Sequence, residues 1–157
     1  MKRTKKSSFN VLAIDPGNKT GWKSPSASGV WDVAAKRDES KGMSLIRFKA
    51  KFIEVVKLEH ITLVSYERPA GRNTSSIISI SEKVGVLKSY CEKHGIDYKG
   101  FSSGEMKRFA TGKGNCGKLE MIAACKKKYD YDPIDDNEAD AIHLYYLTLA
   151  EYDTHKN

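Results

Sequence analysis

Six acidic side chains stand where they could act together. Asp15 closes the apolar run Phe9 to Ile14, and Glu67 closes the run Ile61 to Tyr66. Further on, Asp135, Asp136, Glu138 and Asp140 precede Ala141-Ile142-His143-Leu144, and Asp136 and Asp140 are four apart, on one face of a helix. Carboxylates gathered in one place raise one another's pKa unless a cation intervenes. Magnesium prefers oxygen ligands, and two such ions about 3.5–4 Å apart can clamp an in-line phosphoryl displacement. Acids at a helix start are also favoured by the dipole, which by itself accounts for the 135–140 group. It does not account for acids ending two separate apolar runs.

A second group carries the opposite charge. Residues 111 to 120 read TGKGNCGKLE, in which Gly112, Gly117 and Lys118 fit the outline of a phosphate-binding P-loop. A P-loop follows a buried strand and has Ser or Thr after its lysine. Here Leu119 takes that place, and the preceding Gly104 to Ala110 is charged and helical in character. A nucleotide cofactor is therefore not expected. The glycines still allow main-chain amides to approach phosphate, and Lys107, Lys113 and Lys118 surround them with positive charge.

The elements that must position these groups alternate. Phe9 to Ile14 reads as a strand buried on both faces, broken by Asp15-Pro16-Gly17-Asn18. Trp22 resumes an extended segment, Ser24 to Gly29 is a turn, and Val30 to Ala34 makes a third strand in an antiparallel meander. Apolar residues recur at helical spacing from Met43 to Leu58. Ile61 to Tyr66 is the next strand. Ser75 to His94 is a long helix stopped by Gly95, with Ile77, Ile78, Val84, Leu87 and Cys91 expected on its buried side. Ile96 to Phe101 is a strand, followed by helices over about 103–110, 117–129 and 135–151. This order predicts an α/β sheet covered by helices in a single domain over 9–152, with a flexible basic arm at 1–8 and a tail at 153–157.

Composition narrows the partners. Lysine and arginine outnumber acids by 27 to 20, for a net charge of +7, which favours a polyanion. No apolar run approaches the roughly 18 residues needed to span a bilayer, and the N-terminal stretch does not read as a signal sequence, so a cytoplasmic protein without a membrane partner is expected. Cys91, Cys116 and Cys125 form no C-x-x-C pair and are expected to be reduced and structural. His143 is expected on a helix surface, with Tyr145 and Tyr146 in packing roles.

Four stretches in this order resemble the RuvC-type Holliday junction resolvases. They are Ala13-Ile14-Asp15-Pro16-Gly17 with Thr20-Gly21-Trp22, Tyr66-Glu67-Arg68-Pro69, Lys107 with Gly112-Lys113-Gly114 and Lys118, and Glu138-Ala139-Asp140-Ala141. The resemblance runs from about Val11 to Leu149. It implies a ribonuclease H-like fold with a central mixed five-stranded sheet flanked by helices. It also implies a homodimer, and paired nicking of four-way DNA junctions with two magnesium ions per site, for which manganese would substitute. Asp15, Glu67 and Asp140 match the family's acidic ligands. The family's fourth acid falls at Asn137, so Asp136 is assigned, with Asn137 and Glu138 as alternatives. Lys118 would stabilise charge at the scissile phosphate, and Lys107, Lys113 and Arg72 would contact DNA. The family's junction-opening aromatic has no counterpart in Arg68 to Ser76.

The resemblance suits a bacterial or bacteriophage protein. Helix 75–94, with Ile77, Ile78 and Ile80, is the expected dimer surface. The other readings are a nuclease acting more broadly on flaps and branches, and a junction-binding protein without catalysis. A sugar kinase, which shares the Asp15-Pro16-Gly17 and Thr20 pattern, needs a second similar domain that 157 residues cannot hold.

Overall fold

A computed structural model describes residues 9–71 and 73–154. The basic arm, Arg72 and residues 155–157 lie outside it. The chain begins with three strands, β1 (Val11–Asp15), β2 (Lys19–Lys23) and β3 (Ser28–Asp32). Then come α1 (Gly42–Leu58), β4 (Leu63–Glu67), α2 (Thr74–His94), β5 (Asp97–Phe101), α3 (Ser103–Thr111), α4 (Lys118–Tyr129) and α5 (Asp136–Thr154). The strands form one sheet in the order β3-β2-β1-β4-β5. β1, β2 and β3 pair antiparallel, whereas β4 runs parallel to both β1 and β5. No helix among the described residues is long and apolar enough to cross a membrane.

Strand periodicity divides the core in two. Leu12, Ile14, Val64 and Tyr66 point to one face, where they meet α1 and α2 through Phe48, Phe52, Leu87, Tyr90 and Cys91. Val11, Ala13 and Leu63 point to the other, against Met106, Leu144 and Tyr145. β1 is therefore covered on both sides, which is why its sequence is continuously apolar. On α1 the buried residues are Ser44, Phe48, Phe52 and Val56, a strict four-residue stripe. On α2 they are Lys83, Val84, Leu87, Tyr90 and Cys91. Burying each of these phenylalanines contributes about 1.5–3 kcal/mol. Ile78, expected both on the buried side of this helix and on its dimer surface, is 53% exposed, and Ile77 is half-buried. Ile80, expected at the surface, packs partly against the core.

Helix α5 lies across β1 and β2. Two features set it there. Thr148 donates to Ser65 Oγ on β4 at 2.8 Å, fully buried. At the other end, a Cβ on Gly21 would collide with the main-chain carbonyl of Asn137, so only glycine lets β2 meet the start of α5. Gly85, by contrast, is a helical glycine, and a Cβ added there would find nothing within 4 Å. Gly21→Ala is expected to lower stability by roughly 3 kcal/mol or more. Gly85→Ala is expected to raise it by about 0.5–1 kcal/mol through helix propensity. Denaturant melts of both variants against wild type check the pair, and equal effects would refute the placement of α5.

Candidate active site

Parallel pairing of β1 and β4 brings the first two acids together. Ile14 is in register with Tyr66, so the next residues, Asp15 and Glu67, end the two strands side by side. Both follow the odd-numbered side-chain direction of Val11, Ala13, Leu63 and Ser65, which is the α5 face. Asp140 comes down from α5 one turn before Leu144 and two before Thr148, along the stripe anchored to the sheet. Asp15, Glu67 and Asp140 each offer a carboxylate oxygen, and these three atoms lie within 4.8 Å of one another.

That cluster is electrostatically unsettled. Among the described residues no lysine or arginine forms an ion pair with any of the three. Burial, then the charges of Glu67 and Asp140, hold the Asp15 carboxyl well above the usual range. Asp140 is pushed up to about 7 by burial, by Glu67 and by Asp136, while Lys107 pulls the other way. The donors are all hard carboxylate oxygens with no imidazole or thiolate among them. Such a set suits magnesium or manganese rather than zinc or copper.

Basic residues border the acids. Lys107 lies on α3, which opens with a reciprocal cap between Ser102 and Glu105. Gly112 ends α3 in the left-handed conformation at φ 82°, and Gly117 starts α4, so Lys118 is the first residue of that helix. The loop thus joins two helices and does not follow a strand, as the sequence indicated. Lys118 Nζ is 3.7 Å from the Asp136 carboxylate and its side chain is 80% exposed.

No family model and no curated protein matches this sequence. Solved structures do. Thermus thermophilus RuvC, in complex with a Holliday junction substrate, is 20% identical, with a TM-score of 0.72 over 92% of this chain and 94% of that one. A second structure of Thermus thermophilus RuvC gives 18% identity and a TM-score of 0.73 over 92% and 95%. The yeast mitochondrial Holliday junction resolvase Ydc2 gives 12% and 0.64 over 96% and 84%. The chain has the RuvC fold. Its mixed five-stranded sheet flanked by helices is the ribonuclease H-like arrangement expected from the sequence.

Within this RuvC fold the expected site residues fall into three groups. Asp15, Glu67 and Asp140 converge. Asp136 stands at the margin, outside the tight cluster but close enough for its charge to act on Asp15 and Asp140. Both alternatives to it make hydrogen bonds at the start of α5, although Glu138 Oε2 is buried without a partner. Glu138 is 1% exposed, and its Oε1 accepts from Ile134 N while its own N–H donates to Asp135 Oδ1. It caps the start of α5. Asn137 Nδ2 donates to Asp135. Lys107 and Lys118 flank the acids. Lys113 is exposed in the loop, its N–H donating to the Thr111 hydroxyl, and Arg72 lies outside the described residues.

His143 corrects an expectation. It is fully buried, not on a helix surface, because α4 packs over that side of α5. Its Nε2 is 2.9 Å from the Met121 carbonyl and 3.3 Å from Cys125 Sγ, and burial lowers its pKa. Both partners are on α4. Asp135, one of the acids noted in the sequence, adds charge near Asp140 while capping α5. The reciprocal cap of α3 escaped the sequence reading, although the Ser102-x-x-Glu105 pattern was the available signal for it.

The raised Asp140 pKa makes a stability prediction. Between the unfolded value near 3.8 and the folded value of about 7, the folded chain holds a proton that the unfolded chain releases. The contribution is present in full below about pH 4 and is lost as pH rises through 7. Metal-free Asp140→Asn should therefore be more stable than wild type at pH 8 by roughly 1–3 kcal/mol, with the gap closing toward pH 4. Adding magnesium should stabilise wild type more than the variant. Denaturant melts at the two pH values, with and without EDTA, measure this, and a pH-independent gap would contradict it.

Proposed function

We propose that this chain is a metal-dependent endonuclease that resolves four-way DNA junctions by paired phosphodiester hydrolysis. The observation that carries the reading is the Asp15, Glu67 and Asp140 cluster, at the sheet edge of a RuvC fold, between Lys107 and Lys118. Two similar structures are of RuvC, one of them with a Holliday junction substrate, and a third is of a Holliday junction resolvase.

The three acids, with Asp136 at their margin, would hold magnesium, two ions per site, and manganese would substitute. Bound there, the metal supplies a nucleophilic water at neutral pH and charge at the leaving oxygen. The protein's own groups orient the strand. Lys118, exposed at the first turn of α4, would meet the scissile phosphate and stabilise charge that develops on it. Lys107 tempers the field at Asp140 and contacts the neighbouring backbone. Lys113 and the flanking glycines track the strand, Arg72 and the basic arm at 1–8 add long-range attraction, and binding should fall steeply with salt. Residues 9–152 make up the nuclease domain, ahead of a short tail at 153–157, acting in the cytoplasm.

Two nicks related by two-fold symmetry call for two sites, hence a homodimer. Helix α2 would supply its surface. The absence of an aromatic between Arg68 and Ser76 supports a second reading, a nuclease that also cuts flaps and branches.

The test uses a synthetic four-way junction, a flap and a linear duplex of matched sequence, in magnesium or EDTA. Paired nicks confined to the junction are expected, absent in EDTA. Asp15→Asn should lose at least about 10³-fold in rate, and Lys118→Met about 10²–10³-fold. Equal cutting of the flap would favour the second reading. Tight junction binding without cleavage in either metal would overturn both.

A further inference from the structure

On the opposite face of the sheet from α5, a cleft of about 510 Å³ lies between the first turn of α1 and the start of α2. Two polar groups head the buried stripes of these helices. Lys83 is fully buried, and its Nζ has a single hydrogen-bond partner, Ser79 Oγ at 2.9 Å. An ammonium carries three donors, so two are unused. Ser44 is 7% exposed, and its Oγ has no partner. Both line the cleft.

A buried, unpaired ammonium is costly. Among the described residues no carboxylate ion-pairs with Lys83. Glu82 stands exposed at the rim and only partly offsets the burial that lowers the lysine's pKa. Thr74 and Ser75, the first residues of α2, form another wall. Asn73 Oδ1 caps the Ser76 amide, which leaves the amides of Thr74 and Ser75 without intrahelical partners, and the helix dipole adds positive potential there. Every unsatisfied group described in the cleft floor is a donor, or a hydroxyl able to donate.

We propose that this cleft is an oxyanion site that binds a phosphate group between Lys83 Nζ, Ser44 Oγ and the first turn of α2. A tetrahedral phosphate offers acceptors toward both helices at once. The inference goes beyond the nuclease reading and does not depend on it. Two sources could supply the phosphate, a small free phosphate or a backbone phosphate of bound DNA.

The probe is inorganic phosphate, titrated into the full chain against chloride at equal ionic strength and followed by amide NMR shifts. Saturable shifts at Ser44, Thr74, Ser75 and Lys83 are expected, with a Kd of about 1 mM. Ser44→Ala should weaken binding about tenfold. In phosphate-free buffer it should melt no lower than wild type, because it removes only an unpartnered hydroxyl. Lys83→Met should abolish the shifts. If that variant fails to fold, Ser44→Ala carries the test. Absence of saturable shifts at these amides in wild type, or equal affinity in Ser44→Ala, would overturn the proposal.

Junction binding by Asp15→Asn with and without Ser44→Ala identifies the source. Weaker binding in the double variant, with phosphate competing, assigns DNA; unchanged binding assigns a free phosphate. Loss of cleavage with phosphate binding intact would count against the nuclease reading alone.

Discussion

Three carboxylates that repel one another are held within reach of a single small cation, and much of the fold serves that arrangement. The two strand-end acids cannot separate, because β1 and β4 are locked in register by main-chain hydrogen bonds. The third cannot swing away, because its helix is tied to the sheet by the buried contact between Thr148 and Ser65. Without a cation the conflict is eased by retaining protons, hence the raised carboxyls. The cluster is thus a place where folding stability is given up for local charge, as active sites commonly are.

The second consequence concerns division of labour in the acidic stretch at the start of α5. Asp135 and Glu138 shape the helix start, Asp136 meets Lys118, and Asp140 joins the cluster. Four acids within six residues therefore do three different jobs. Among the buried positions near the start of the same helix, Ala139 and Ala141 are small. Gly21 allows a close approach from the strand side. The geometry of the metal-compatible cluster therefore depends on residues that never touch it.

Most of the fold was legible because its signals are local. The unbroken apolar run at Val11 to Ile14, the four-residue stripe on α1 and the glycine stop after α2 each fix an element without tertiary knowledge. The acids at 15 and 67 were legible because strand ends in such sheets converge, and Asp140 because its stretch resembles a known motif. What the sequence left open depended on packing between elements. The role of Glu138 turns on a bond to Ile134 N, His143 is buried by α4, and the exposure of Ile78 depends on how the start of α2 packs. Lys83 gave no signal at all, since a lysine within a helical stripe ordinarily faces water.

The cysteines offer an experimental handle. Cys91 and Cys125 are fully buried, Cys116 is 6% exposed, and burial pushes the thiols of Cys91 and Cys125 up to about 12. A maleimide or disulfide reagent at neutral pH would therefore find almost no thiolate at Cys91 or Cys125, and Cys116 is shielded by its burial. The protein is in effect a thiol-silent background, and a single cysteine placed on an exposed helix position would accept a fluorophore selectively. Slow labelling of the native thiols would then report how often the two layers of the core come apart.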